Sequence, residues 1–134
     1  MEERIDNIKN KLLQEIDCEA IILFGSFARG TQNEKSDIDI AFLSKKQIPK
    51  KEIFELKQKI EDIAGRDVDL VDMNNDIGDG FKYEIITNGK ILYCKDEVKF
   101  DLYKIRVISD FLETNEARQA VIDRIKNGGS IYGK

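Results

Sequence analysis

The chain has 134 residues, enough for one domain with its own core but not for two independent ones. Hydrophobic residues make up 41% and charged residues 36%, with a single Pro and no apolar run near the ~20 residues of a membrane span, a composition that excludes disordered, fibrous and membrane-spanning classes. The 26 acids and 22 bases leave a formal charge of −4 and alternate along the chain, which argues against a sequence-independent grip on nucleic-acid phosphates, so no direct nucleic-acid partner is expected.

In chain order, Ile5, Ile8, Leu12, Leu13 and Ile16 form one apolar stripe and predict a packing helix over 4–16. Its charged, amphipathic start lacks the features of a secretory signal, and a cytoplasmic protein is expected. Ala20 to Phe24 reads as a short buried strand ended by Gly25-Ser26, with a helical turn over Phe27-Ala28-Arg29-Gly30. From Asp37 to Leu43 the residues alternate with the period of a strand, and Asp37 and Asp39 share one side of it. Pro49 opens a helix over 49–64 carried by Ile53, Leu56, Ile60 and Ile63 and stopped by Gly65, and Val68 to Val71 is a third strand. Asp76 to Asn88 reads as a helix with Ile77, Phe81 and Ile85 four apart, stopped by Asn88-Gly89 before a fourth strand, Ile91 to Cys94. Residues 96–126 read as helical, with Val98, Leu102, Ile105, Ile108 and Leu112 on a core face that leaves part of its length for a partner, then a break near Thr114-Asn115 and Ala117, Val121 and Ile125 beyond it. A mobile tail is expected over 127–134. The order gives a single α/β or α+β domain: a small mixed sheet flanked by helices, with a core of about 1–95 and a C-terminal helical segment of about 96–126.

The chain has no His, which removes Ser-His-Asp and Cys-His catalysis and His-based zinc sites together. Cys18 and Cys94 stand far apart without metal-ligand spacing and read as reduced thiols. Chemistry must therefore rest on carboxylates, hydroxyls, Lys, Arg or a hard metal ion. An isolated Asp-x-Asp is common and is ordinarily a pair of solvated side chains on an exposed strand face. Three features weigh against that here. Gly25-Ser26 ends the preceding strand, where a glycine admits a phosphate to the backbone and a hydroxyl can donate to it. Asp69, between Val68 and Leu70, offers a third carboxylate on the same side of the sheet, and Asp67 shares its parity. The lack of His leaves this cluster as the economical candidate. Two close carboxylates are costly unless neutralised, and Mg²⁺ suits a few carboxylates plus water and phosphate oxygens.

Gly25-Ser26, ten residues, Asp37-Ile38-Asp39 and then Asp69 resemble the signature of the nucleotidyltransferase superfamily that includes DNA polymerase beta. Within it, the GSFARG turn, the DVDLVDMN strand and the YEIITNGKILY segment of a short chain resemble the minimal nucleotidyltransferases of the MntA antitoxin type. The resemblance spans nearly the whole chain. It implies a polymerase-beta-type core and two Mg²⁺ ions, with Asp37 and Asp39 holding both and Asp69 holding the one at the acceptor oxygen. It implies ATP as co-substrate, with Gly25 and Ser26 on the triphosphate; Arg29 is either a neutraliser of phosphate charge or a solvated surface residue. It further implies AMP transfer to a tyrosine hydroxyl of a HEPN-domain ribonuclease toxin as hetero-oligomeric partner. A small-molecule acceptor such as an aminoglycoside, or a non-catalytic antitoxin acting by binding, remain as alternatives. Tyr83 reads as a packing residue, with Glu84 beside it, and Lys45, Lys46, Lys50 and Lys51 as a solvated helix start.

Overall fold

A computed structural model describes residues 2–33 and 35–113, together with 119, 122–124, 126 and 127. The order is α1 (Glu2–Glu15), β1 (Cys18–Phe24), α2 (Gly25–Arg29), β2 (Ile38–Ser44), α3 (Lys50–Ala64), β3 (Val68–Asp72), α4 (Asp79–Asn88), β4 (Lys90–Cys94) and α5 (Glu97–Leu112). The four strands form one sheet in the order β3-β2-β1-β4; β1 runs antiparallel to β2 and β4, and β2 parallel to β3. The sheet is mixed, as expected.

Period-two alternation divides the strands between two cores. On one face, Ile21 and Leu23 of β1, Ile38, Ile40 and Phe42 of β2 and Val68 of β3 pack on Ile8 and Leu12 of α1 and Leu56, Ile60 and Ala64 of α3. On the other, Ala20, Ile22, Ala41 and Val71 meet Ile85 and Ile86 of α4 and Phe100 and Val107 of α5. Gly65, at φ 68°, ends α3 with its amide on the Glu61 carbonyl.

Several sequence expectations change. The helix expected from Asp76 starts at Asp79, because Asn75 and Ile77 close tight turns onto the Asp72 and Asn75 carbonyls and Gly78 stands at φ 90°, outside helical space. Pro49 stands one position ahead of α3 as its N-cap, at ψ 142°. Asp37 precedes β2 rather than opening it. The α5 face expected in the core is the largest departure: Val98, Leu102, Ile105 and Leu112 are 72%, 63%, 62% and 57% exposed, and Ile108 is half-buried. The core-facing residues are Phe100, Tyr103 and Val107, and Phe111 is half-buried on the same side of the helix. The helix carries two apolar stripes on opposite sides, and the one with three aromatic rings has more area to bury. The break near Thr114-Asn115, the positions Ala117, Val121 and Ile125, and the tail from 128 lie outside the described residues; Asn127, expected in the tail, donates its amide to the Asp123 carbonyl. Cys18 and Cys94 are both free thiols.

Candidate active site

Parity and register build the site. Asp39 occupies a position of β2 whose neighbours in the same row, Phe24 on β1 and Asp69 on β3, are its ladder partners on either side. Strand partners in register point to the same face, so Asp39 and Asp69 lie side by side on the face that α4 and α5 cover further along. Asp37 stands at the mouth, one residue ahead of the strand. Together with Asp67, Lys57 and Glu61 these aspartates line an open cleft of about 400 Å³. Asp37, Asp67 and Asp69 are exposed, while Asp39 is half-buried. Asp69 is therefore held by strand register and not by enclosure.

Partial burial raises the Asp39 carboxyl above its ordinary pKa, the charges of Asp69 and Asp37 add to the rise, and Arg29 opposes it. Asp69 on β3, Asp37 just ahead of β2 and Arg29 on α2 thus bring charge to Asp39 from three separate segments. Gly25 fits against Asp39 from the other side. Its φ is 71°, and a Cβ built there would lie 2.0 Å from Asp39 Oδ2. The glycine thus serves twice, by taking a left-handed conformation and by leaving room for the carboxylate. Ser26, half-buried in the first turn of α2, accepts the Gly30 and Thr31 amides at its carbonyl.

A second hollow, about 170 Å³, opens beside Gly25 and Arg29 and is walled by Phe24, Phe81, Glu84 and Asn88. Phe24 and Phe81 meet edge to face at 5.6 Å. The structure thus brings Gly25, Arg29, Asp37, Asp39 and Asp69 to one end of one sheet face, with Gly25 and Asp39 joining the two hollows. Tyr83 is a packing residue: its ring stacks on Phe111 at 4.2 Å and ties α4 to α5. Glu84, one residue on, lines the hollow.

Lys57 and Glu61 were not singled out in the sequence. Each follows a core position of α3, Leu56 and Ile60, so the helical period turns it toward the strand ends, a signal available once α3 is known to lie beside β3. Glu61 Oε2 accepts the Val68 amide at 3.0 Å and fastens the helix to β3.

Among the described residues no three acidic or cysteine side chains close into a set that would grip a metal ion as placed. The donors nevertheless fit a hard dication in kind: all are carboxylate oxygens, and the raised Asp39 carboxyl marks negative charge that a cation would relieve. Ligands to such an ion would be Asp37, Asp39 and Asp69, with Asp67 at the rim of the same cleft.

Residues 6–98 match the polymerase beta nucleotidyltransferase family. The chain belongs to that family. This nucleotidyltransferase is 35% identical over 105 residues to the protein adenylyltransferase MntA of Shewanella oneidensis, an alignment covering 78% of this chain and 74% of the relative. A putative protein adenylyltransferase of Methanocaldococcus jannaschii is 37% identical over 67 residues, 50% of this chain and 78% of the relative. Among solved structures, a toxin-antitoxin with AMP-PNP superimposes with a TM-score of 0.78 at 33% identity, covering 90% of the nucleotidyltransferase and 97% of the solved chain. A chain from the complex of tri-AMPylated Shewanella oneidensis HEPN toxin with MNT antitoxin gives 0.75 at 28% identity, covering 93% and 98%. The four-stranded mixed sheet and its helices are thus the polymerase-beta-type fold. No helix among the described residues is long and apolar enough to cross a membrane.

Proposed function

We propose that the protein is an adenylyltransferase antitoxin that moves AMP from ATP to a tyrosine hydroxyl of a HEPN-domain toxin and so silences it. The observation that carries this reading is the rung of Asp39 and Asp69 set against Gly25 in a chain 35% identical to a protein adenylyltransferase. The solved complexes of similar chains with AMP-PNP and with an AMPylated HEPN toxin support ATP as co-substrate and the toxin as acceptor. A cytoplasmic location, where ATP is available, goes with it.

Each residue then has a task. Ser26 and the backbone at Gly25 take the triphosphate, with Arg29 offsetting its charge beside Asp39. The hollow walled by Phe24 and Phe81 offers an apolar surface to the purine and Asn88 a side-chain amide at its edge. Asp37, Asp39 and Asp69 would hold two Mg²⁺ ions. When bound, Mg²⁺ neutralises the phosphates and makes the acceptor hydroxyl more acidic. Asp69, exposed at the edge strand, receives the proton of the tyrosine hydroxyl as its oxygen bonds to the α-phosphorus; the bond to the bridging oxygen breaks and pyrophosphate leaves in line. The alignment is the protein's contribution, and it rests on the rung.

The test is to incubate the protein with ATP, Mg²⁺ and its HEPN partner and weigh the partner by mass spectrometry. The expected result is a gain of whole AMP units that vanishes with Asp37→Asn/Asp39→Asn. A partner that is silenced at unchanged mass, by wild type and variant alike, would show neutralisation by binding alone.

A further inference from the structure

Arg66 lies between the αL turn at Gly65 and the cleft residue Asp67 and was not singled out in the sequence. The structure half-buries it. Its Nη1 donates to the Ser36 carbonyl at 3.2 Å, immediately ahead of Asp37. Its guanidinium carbon lies 5.4 Å from the centre of the Phe27 ring, in the helix that Gly25 and Ser26 open. The next residue, Asp67, accepts the Ile38 amide at its carbonyl at 3.1 Å, between the two aspartates of the Asp-x-Asp. One side chain thus touches the phosphate-side turn and the loop that delivers Asp37, and it hangs from the backbone that continues into Asp69.

We propose that Arg66 is a positioning residue that clamps the Gly25-Ser26 turn and the Asp37 loop to the start of β3, so that the groups meant for the triphosphate and those meant for the reacting centre keep one spacing. The inference rests on the transferase reading above for its activity test but not for its geometry. The chemistry of the side chain suits the role. A guanidinium is a flat donor that can lay its face on an aromatic ring while its edge donates to a carbonyl in a fixed geometry; an ammonium is a compact point charge without that face. Its half-buried setting leaves Nε dry and, among the described residues, without an acceptor, a cost in stability that a surface charge would not carry. Arg66 is therefore not placed for maximal stability, and the two contacts it does make both lead to the site.

The experiment compares Arg66→Ala, Arg66→Lys and Phe27→Leu with wild type. In AMP transfer to the partner protein, Arg66→Ala is expected to lower kcat roughly 10–100-fold, as loss of an outer support commonly does, with KM for ATP little changed. Arg66→Lys, which keeps the donor and loses the stacking, recovers part of that loss. Phe27→Leu adds nothing on top of Arg66→Ala, because the two share one contact. Independently of activity, amide hydrogen exchange in the segment 31–38 should quicken in Arg66→Ala while β1 and β4 keep wild-type protection. A rise in KM at unchanged kcat would overturn the proposal in favour of direct contact with the nucleotide. Unchanged exchange in 31–38, or exchange quickened equally throughout the sheet, would also overturn it. Should Arg66→Ala fail to fold, Arg66→Lys and Phe27→Leu each remove one contact and carry both readouts. If wild type transfers no AMP at all, the transferase reading falls while the exchange result still decides the clamp.

Discussion

At the scale of single residues, the site turns on a space one methyl group wide. Gly25 has no Cβ, and the place where one would stand is 2.0 Å from Asp39 Oδ2. The atom in the way is the tip of a side chain, so in Gly25→Ala the carboxylate swings aside instead of the strand giving way. Two effects should therefore separate. Holding a left-handed φ with a side chain costs about 1–2 kcal/mol, which urea unfolding would read as a modest loss. Displacing the central carboxylate by the width of an atom should cost about 100-fold in AMP transfer. Full activity in a folded Gly25→Ala would mean that Asp39 does not act from where it stands. Other residues of the site were readable to differing depth. The shared parity of Asp37 and Asp39 was legible from strand alternation, whereas the place of Asp69 beside Asp39 depends on the β2–β3 register. The closeness of Gly25 to Asp39 was not legible either, since it depends on the antiparallel pairing of Phe24 with Asp39 and on no local pattern.

Among the elements, the helices that follow a single apolar period were legible and the one with two periods was not. In α1 and α3 the expected residues Ile8, Leu12, Leu56 and Ile60 are the buried ones. In α5, Val98, Leu102, Ile105 and Leu112 repeat as regularly as Phe100, Val107 and Phe111, and periodicity carries no information about which stripe the sheet takes. The outcome yields a direct contrast. Leu102→Glu should change unfolding free energy by no more than about 0.5 kcal/mol, as for a surface position, whereas Phe100→Ala, which empties a place in the core under α4 and α5, should cost about 3–5 kcal/mol. Denaturant titrations of the two variants check the assignment, and a reversed order would put the core on the wrong side of α5. The start of α4 was misread for a different reason: Ile77 fits the spacing of Phe81 and Ile85, yet it packs on the same core from within a turn, where Gly78 can supply a positive φ and a helix cannot.

Over the whole molecule, the two thiols report on two depths of the fold. Cys18 is buried at the start of β1, and burial, with Asp17 nearby, pushes its thiol up to about 12. The reactive species is the thiolate, so at pH 8 Cys18 is protected both by access and by protonation. Cys94, half-buried on the edge strand β4, is also raised by desolvation, but among the described residues no neighbouring strand covers that edge. A thiol reagent followed by mass spectrometry should modify Cys94 first, with Cys18 following at the rate of global opening and accelerating with Cys94 unchanged in any variant that destabilises the core. Equal rates at the two positions would show that the start of β1 opens as readily as the edge.

The sheet order has a consequence for how the three aspartates yield to load. Asp39 stands on a strand laddered on both sides, Asp69 on an edge strand laddered on one, and Asp37 ahead of the ladder. Stiffness therefore falls from Asp39 to Asp69 to Asp37. The row is a fixed post with two compliant arms, and any adjustment between one occupant of the cleft and the next is borne by the arms.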